Sequence, residues 1–133
     1  MTDSDIRASV LNDRYIIVVD DELDTLDLLS FVLEEEGAIV SVATSAQDAR
    51  QQISQQLPSL LVCDIGMPHE DGYSFIEGLR QEGYTFPAIA LTAYAKLEDR
   101  DRALQAGFQR HVTKPVAPDD LVDTIIKLLV SPP

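Results

Sequence analysis

Leu60-Leu61-Val62-Cys63-Asp64-Ile65-Gly66-Met67-Pro68 is the stretch on which the fold turns. Four apolar residues in a row, with no polar residue at alternate positions, read as a strand buried on both faces. The carboxylate of Asp64 then falls where that strand opens into a loop marked by Gly66 and Pro68. Strands buried on both faces belong to parallel sheets covered by helices. The rest of the chain should therefore alternate strands with amphipathic helices.

It does so in both directions. Upstream, residues 15–19 form an apolar run closed by Asp20 and Asp21. Residues 22–36 carry Leu26, Leu29 and Leu33 on one helical face and stop at Gly37. Residues 38–42 are β-rich, and Thr44 and Gln47 have capping-box spacing for a helix to about residue 56. Downstream, residues 73–82 read as a helix that buries Phe75, Ile76 and Leu79, and residues 87–91 as a strand followed by Thr92. Residues 97–106 form a charged helix stopped by Gly107, and residues 108–112 a short strand. Lys114 and Pro115 follow. Pro118 suits the first turn of a last helix whose core face carries Leu121, Ile125 and Leu128. The pattern is βα five times over residues 15–130. Residues 1–14 read as a flexible extension and residues 131–133 as a tail or the start of a linker.

Composition narrows the function classes. A chain of 133 residues suits one domain, and a hydrophobic share of 45% indicates a soluble globular protein. The net charge of −13 opposes direct binding to nucleic acid or to an anionic membrane, both of which need cations. Cys63 is the one cysteine, so no internal disulfide is possible, and its place in an apolar run makes it a small core residue. There is no apolar run of membrane-spanning length and no apolar signal core near Met1. The expected location is cytoplasmic.

Ligands of parallel α/β sheets bind at the carboxyl ends of the strands. Asp20, Asp21, Asp64, Thr92 and Lys114 all fall there. Three ionised carboxylates in one cleft repel each other, and a hard cation such as Mg²⁺, which takes oxygen ligands, relieves that repulsion. The Gly66 backbone carbonyl is a further oxygen at hand. A carboxylate can serve as a nucleophile and form an aspartyl-phosphate, and phosphoryl transfer asks mostly for positioning and charge neutralisation. Lys114 and Thr92 would supply an ammonium and a hydroxyl to phosphoryl oxygens. Taken singly, each residue has a plainer reading. Asp20 and Asp21 would cap the first helix, Asp64 would be a turn residue, Thr92 would cap the fourth helix, and Lys114 would be a solvated lysine. All five must then coincide at one edge of one sheet.

The residues carry a resemblance. Val18-Val19-Asp20-Asp21-Glu22 looks like the acidic-pair motif, Asp64-Ile65-Gly66-Met67-Pro68 with Asp71-Gly72 like the phosphoacceptor motif, Leu91-Thr92-Ala93 like the switch-hydroxyl motif, and Lys114-Pro115 like the Lys-Pro motif of one family. The chain resembles the receiver domain of bacterial two-component response regulators, of the chemotaxis-regulator-like kind, over about residues 15–130. The resemblance implies a flavodoxin-like doubly wound (βα)5 fold with a parallel sheet in the order 2-1-3-4-5. It implies that Asp64 is phosphorylated by a sensor histidine kinase or phosphotransfer protein. Mg²⁺, for which Mn²⁺ can substitute, would be held by Asp20, Asp21, Asp64 and the Gly66 carbonyl. Thr92, Ala93 and Lys114 would bind the phosphoryl group, with Asp64 and Lys114 as the catalytic pair, and the Lys114–Pro115 peptide is typically cis. His111 occupies the switch-ring position, where a larger Tyr or Phe is commoner. Tyr94 and Gly66 would control access to the phosphoryl site. The output would be a switched surface of the fourth helix, fifth strand and fifth helix acting on a downstream protein or a fused output domain, with the chain a monomer or a phosphorylation-dependent dimer. Leu97 and Phe108 near that surface suit core and interface equally.

Three rivals are weaker. An aspartyl-nucleophile phosphatase tends to carry its nucleophile on the first strand with a second Asp two residues on, and Asp21-Glu22-Leu23 lacks it. A flavodoxin-like cofactor binder wants a Gly/Ser/Thr-rich phosphate loop where this chain has acids. A receiver fold that only binds partners would not need the acid trio, Thr92 and Lys114 together.

Overall fold

The computed structural model describes residues 10–93 and 96–130. Among these, β1 (Tyr15–Val19), β2 (Ile39–Ala43), β3 (Leu60–Asp64), β4 (Ala88–Thr92) and β5 (Arg110–Thr113) alternate with five helices. The helices are α1 (Leu23–Glu35), α2 (Ala46–Gln55), α3 (Gly72–Gln81), α4 (Leu97–Ala106) and α5 (Pro118–Val130). All strands pair in parallel in the order β2-β1-β3-β4-β5, which is the expected doubly wound topology. No helix among the described residues is long and apolar enough to cross a membrane.

β3 and β4 are buried at every residue, as the unbroken apolar run requires. Alternate residues feed two cores. Ile17, Leu61, Cys63 and Ala90 face α2, α3 and α4, where Phe75 and Ile76 are fully buried. Ile16, Val62, Ile89 and Leu91 face α1 and α5, against Leu26, Leu29, Leu33, Leu121 and Ile125. Each Val, Leu, Ile or Phe among them contributes roughly 1.5–3 kcal/mol by leaving water. Cys63 is a fully buried core residue, and burial raises its thiol pKa well above the ordinary value.

The differences from the sequence pattern are local. Ser45, not Thr44, caps α2, accepting from the Asp48 N–H at 3.1 Å. The inward phase of Ala46, Ala49 and Ile53 starts the helix one residue later than the capping-box spacing suggests. Phe108 lies outside β5 and is buried, while Leu97 on α4 is 72% exposed, so the two part company as core and surface. Leu128 is only partly buried and Val122 takes its place in the core. Leu11 is the largest departure: the polar segment around it suggests a loose extension, yet Leu11 is fully buried in the α1/α5 core. The chain next to it is tied down, with the Asp13 N–H donating to the Gly37 carbonyl and the Ile39 N–H to the Arg14 carbonyl. The expected tail, residues 131–133, lies outside the described residues.

Candidate functional site

The strand order reverses between β1 and β3, and the carboxyl ends of these two strands put Asp20 and Asp64 side by side. Asp20, Asp21 and Asp64 each offer a carboxylate oxygen, and these oxygens lie within 4.8 Å of one another. Asp20 and Asp64 are buried and Asp21 is exposed. From the far side of the sheet, Lys114 at the end of β5 reaches across the edge. Its Nζ lies 3.0 Å from Asp20 Oδ2, 3.4 Å from Asp64 Oδ1 and 3.3 Å from Glu22 Oε1. The Lys114–Pro115 peptide is cis, as the resemblance implies. The Lys114 N–H donates to the Thr92 carbonyl at 2.7 Å, which fixes the lysine to the end of β4.

An open cleft of about 300 Å³ sits over this edge, lined by Asp21, Glu22, Asp64, Ile65, Gly66, Thr92, Ala93 and Lys114. Asp20 does not line it: its side chain is fully buried, with Oδ1 accepting from the Glu22 N–H at 2.9 Å. The β3–α3 loop is held tight against it. The Gly66 N–H donates to Asp64 Oδ1 at 3.3 Å and the Gly72 N–H to the Ile65 carbonyl at 2.9 Å. Asp71 caps α3 by accepting from the Ser74 N–H. A Cβ on Gly72 would stand 2.7 Å from the Asp64 carbonyl oxygen, so only glycine lets α3 start this close to the acid.

The electrostatics leave a deficit of positive charge. Burial raises the Asp20 pKa above the ordinary carboxylate value, against the Glu22 N–H and Lys114. Burial and then the charge of Asp20 raise that of Asp64. For Lys114 burial works downward, but Asp20 and Asp64 outweigh it and the lysine is held firmly as a cation. One ammonium shared among the carboxylates is thus well satisfied while the carboxylates are not. Asp20 Oδ2 is buried with no hydrogen-bond donor aligned on it, so its compensation is the ion pair alone. A cluster of hard oxygen donors short of positive charge fits a divalent cation such as Mg²⁺.

The structure therefore brings together Asp20, Asp21, Asp64, Gly66, Thr92, Ala93 and Lys114. Tyr94 lies outside the described residues. His111 is not at this edge: it is half-buried on β5, beside a separate cleft against α4. Two residues acquire parts that the sequence pattern does not assign. Glu22 makes the third contact of Lys114, and Gly72 supplies the space behind Asp64; each stands inside a quoted motif, but its part depends on distances in space that the motif does not state.

The family model for the response regulator receiver domain matches residues 16–126. The chain belongs to this family. An uncharacterized 14.6 kDa protein of Leptolyngbya boryana is 53% identical over 109 residues, covering 80% of this chain and 83% of that one. The phosphate regulon transcriptional regulatory protein PhoB of Escherichia coli is 36% identical over 84% of this receiver. The receiver spans 50% of PhoB's length. A solved CheY-like receiver domain protein from Methanospirillum hungatei superposes with a TM-score of 0.82 at 31% identity, covering 89% of this receiver and 94% of that chain. Receiver domains are signalling modules of two-component systems rather than conventional enzymes; they work with histidine kinases and output domains and typically use Mg²⁺ at an acidic site.

Proposed function

We propose that this receiver accepts a phosphoryl group on Asp64 from the phosphohistidine of a sensor histidine kinase or phosphotransfer protein. The observation that carries this reading is the nearness of Lys114 Nζ to both Asp20 and Asp64, at an open cleft edged by Thr92. Asp21, Asp64 and the Gly66 carbonyl would hold Mg²⁺, with Asp20 behind them. The ion would supply charge neutralisation at the phosphoryl oxygens and between the carboxylates.

An Asp64 carboxylate oxygen attacks phosphorus, the P–N bond to the donor imidazole breaks, and the electron pair leaves with that nitrogen. Asp64 has its Oδ1 held by the Gly66 N–H and Lys114, which leaves Oδ2 as the attacking atom. Lys114 neutralises one phosphoryl oxygen, and the Thr92 hydroxyl with the Ala93 N–H binds the others. The added charge of about −1.5 to −2 draws Thr92 inward and biases the α4–β5–α5 surface between two states. Asp64 and Lys114 are the residues that act on the phosphoryl group. His111 is the ring that follows the switch, and Tyr94 and Gly66 tune access of water. The output is a protein contact, through a separate partner, a fused output domain or a phosphorylation-dependent dimer, in the cytoplasm.

Intact mass after incubation with Mg²⁺ and acetyl phosphate tests this. One added phosphoryl group is expected on the wild type, none on Asp64→Ala, and none in EDTA. An unmodified wild type that also fails with a histidine phosphodonor would refute it.

A further inference from the structure

We infer that Glu22 is a positioning residue that draws the Lys114 ammonium aside from the carboxylate oxygens that would take Mg²⁺. The inference deepens the proposed function and rests on its reading of the acid cluster as a cation site. Glu22 stands at the start of α1, where a side chain ordinarily caps the helix. Ser45 and Asp71 do so for α2 and α3, each accepting from a backbone N–H three residues on. The Glu22 side chain makes no such bond to α1. Its carboxylate reaches across the sheet edge instead, and Lys114 Nζ donates to Oε1 at 3.3 Å. A glutamate is one methylene longer than an aspartate, which suits this reach better than a cap.

The effect shows at Asp20. Lys114 Nζ lies 3.0 Å from Asp20 Oδ2, yet that oxygen is buried with no hydrogen-bond partner. Hydrogen-bond geometry is met at the more distant Glu22. An ammonium bonded squarely to the acid cluster would occupy lone pairs that a hard cation needs. By engaging the ammonium from the side, Glu22 leaves those lone pairs open. The pull is more than that of an ordinary surface pair. Glu22 is 65% exposed, but the Lys114 side chain is only 19% exposed and its direction is set by the acids around it.

The pair also has room to part. Glu22 and Lys114 line both the cleft beside the acids and a neighbouring groove of about 420 Å³, which runs between Thr25, Leu28 and Leu29 of α1 and the Pro115–Val116 segment. Glu22 can therefore release the ammonium to an incoming phosphoryl oxygen without a clash.

The test is calorimetric titration of the full chain with Mg²⁺, on wild type, Glu22→Asp and Glu34→Gln. Aspartate keeps the charge but is a favoured helix cap, so its carboxylate turns to the first turn of α1 and lets Lys114 go. Glu22→Asp is expected to weaken Mg²⁺ binding about threefold while its melting temperature holds or rises. Glu34→Gln removes an exposed acid at the far end of α1 and should leave Mg²⁺ binding unchanged. In a Lys114→Ala background the Glu22→Asp loss should vanish, because no ammonium remains to be positioned. A wild type that takes no Mg²⁺, an unchanged affinity in Glu22→Asp, or a loss that persists without Lys114 would overturn the inference. So would a loss that comes with a lower melting temperature, which would make the part of Glu22 merely structural. Intact mass of the wild type after exposure to acetyl phosphate and to a histidine phosphodonor separates the two readings. A lysine-dependent Mg²⁺ loss in Glu22→Asp without phosphoryl uptake from either donor would uphold the inference and refute the proposed function. Phosphoryl uptake with an Mg²⁺ affinity indifferent to Glu22→Asp would do the reverse.

Discussion

Gly72 is the tightest point behind the acid cluster. Its added Cβ would meet the Asp64 carbonyl oxygen at 2.7 Å and Ile65 Cα at 2.9 Å, both of them backbone atoms that cannot step aside. Gly72→Ala is therefore expected to destabilise the fold by about 1–3 kcal/mol and to weaken Mg²⁺ binding and phosphoryl uptake by displacing Asp64. Gly66→Ala meets nothing within 4 Å and should leave stability nearly unchanged; urea unfolding of the pair checks the contrast. The acid itself gives a second expectation. Burial and Asp20 raise the Asp64 pKa, so its ionised form is less favourable in the native than in the unfolded chain and lowers stability at neutral pH. Asp64→Asn should then melt a few degrees higher than wild type in EDTA, on the order of 2–5 °C. Mg²⁺ should raise the wild-type melting temperature more than that of the variant. Equal melts in EDTA, or equal gains from Mg²⁺, would contradict the charge deficit described above. The acid trio, Thr92 and Lys114 were legible as strand-end residues because period and topology alone bring strand ends together. Glu22 and Gly72 were not, because a lysine's reach and a Cβ clash depend on three-dimensional distances that no spacing encodes.

At the scale of elements, the loop that carries Gly66 is fastened to α2. Arg50 makes a two-point ion pair with Glu70, and its guanidinium lies 5.2 Å from the Phe75 ring centre. The Arg50 contact holds the Glu70 carboxyl below its ordinary pKa. A depressed carboxylate contributes stability above its unfolded pKa and loses it as pH falls through the lower folded value. The pair is about one-third exposed, which limits it to about 0.5 kcal/mol after solvent screening, with the cation–π contact adding a similar amount. Arg50→Ala is thus expected to cost about 1 kcal/mol near neutral pH, and less below the carboxylate range. Urea unfolding of both proteins at the two pH values measures this, and a cost that does not shrink in acid would remove the ion pair from the account. The elements themselves were legible to within a residue or two because leucines at 3.6-residue spacing and unbroken apolar runs fix helix faces and buried strands. The Ser45 cap escaped because Thr44 and Ser45 are both capping residues, the spacing to Gln47 points to Thr44, and only the inward phase of Ala46 selects Ser45.

At the scale of the whole molecule, the sheet order follows from the alternation of elements and the handedness of their crossovers, and both cores were foreseeable from it. The N-terminal edge of the folded unit was not. Leu11 sits among polar residues with no periodic partner, so the hydrophobic pattern carries no signal there. Its burial depends on a pocket made by distant elements, α1, the start of β2 and α5. In the structure Leu11 is fully buried and the following residues bond to Gly37 and Ile39, which makes this segment a lid on the α1/α5 core. Leu11→Ala should then leave a cavity and cost about 2–4 kcal/mol. Leu23, 65% exposed on α1, is the matched control, and Leu23→Ala should change stability by less than about 0.5 kcal/mol. Chemical denaturation with the unfolding slope compared between the two variants is the measurement. A Leu11→Ala loss no larger than that of Leu23→Ala would mean that the segment is an appendage and that the folded unit begins at β1. A loss in the expected range at an unchanged slope would place residues 10–14, the five residues ahead of the first strand, inside the cooperative unit.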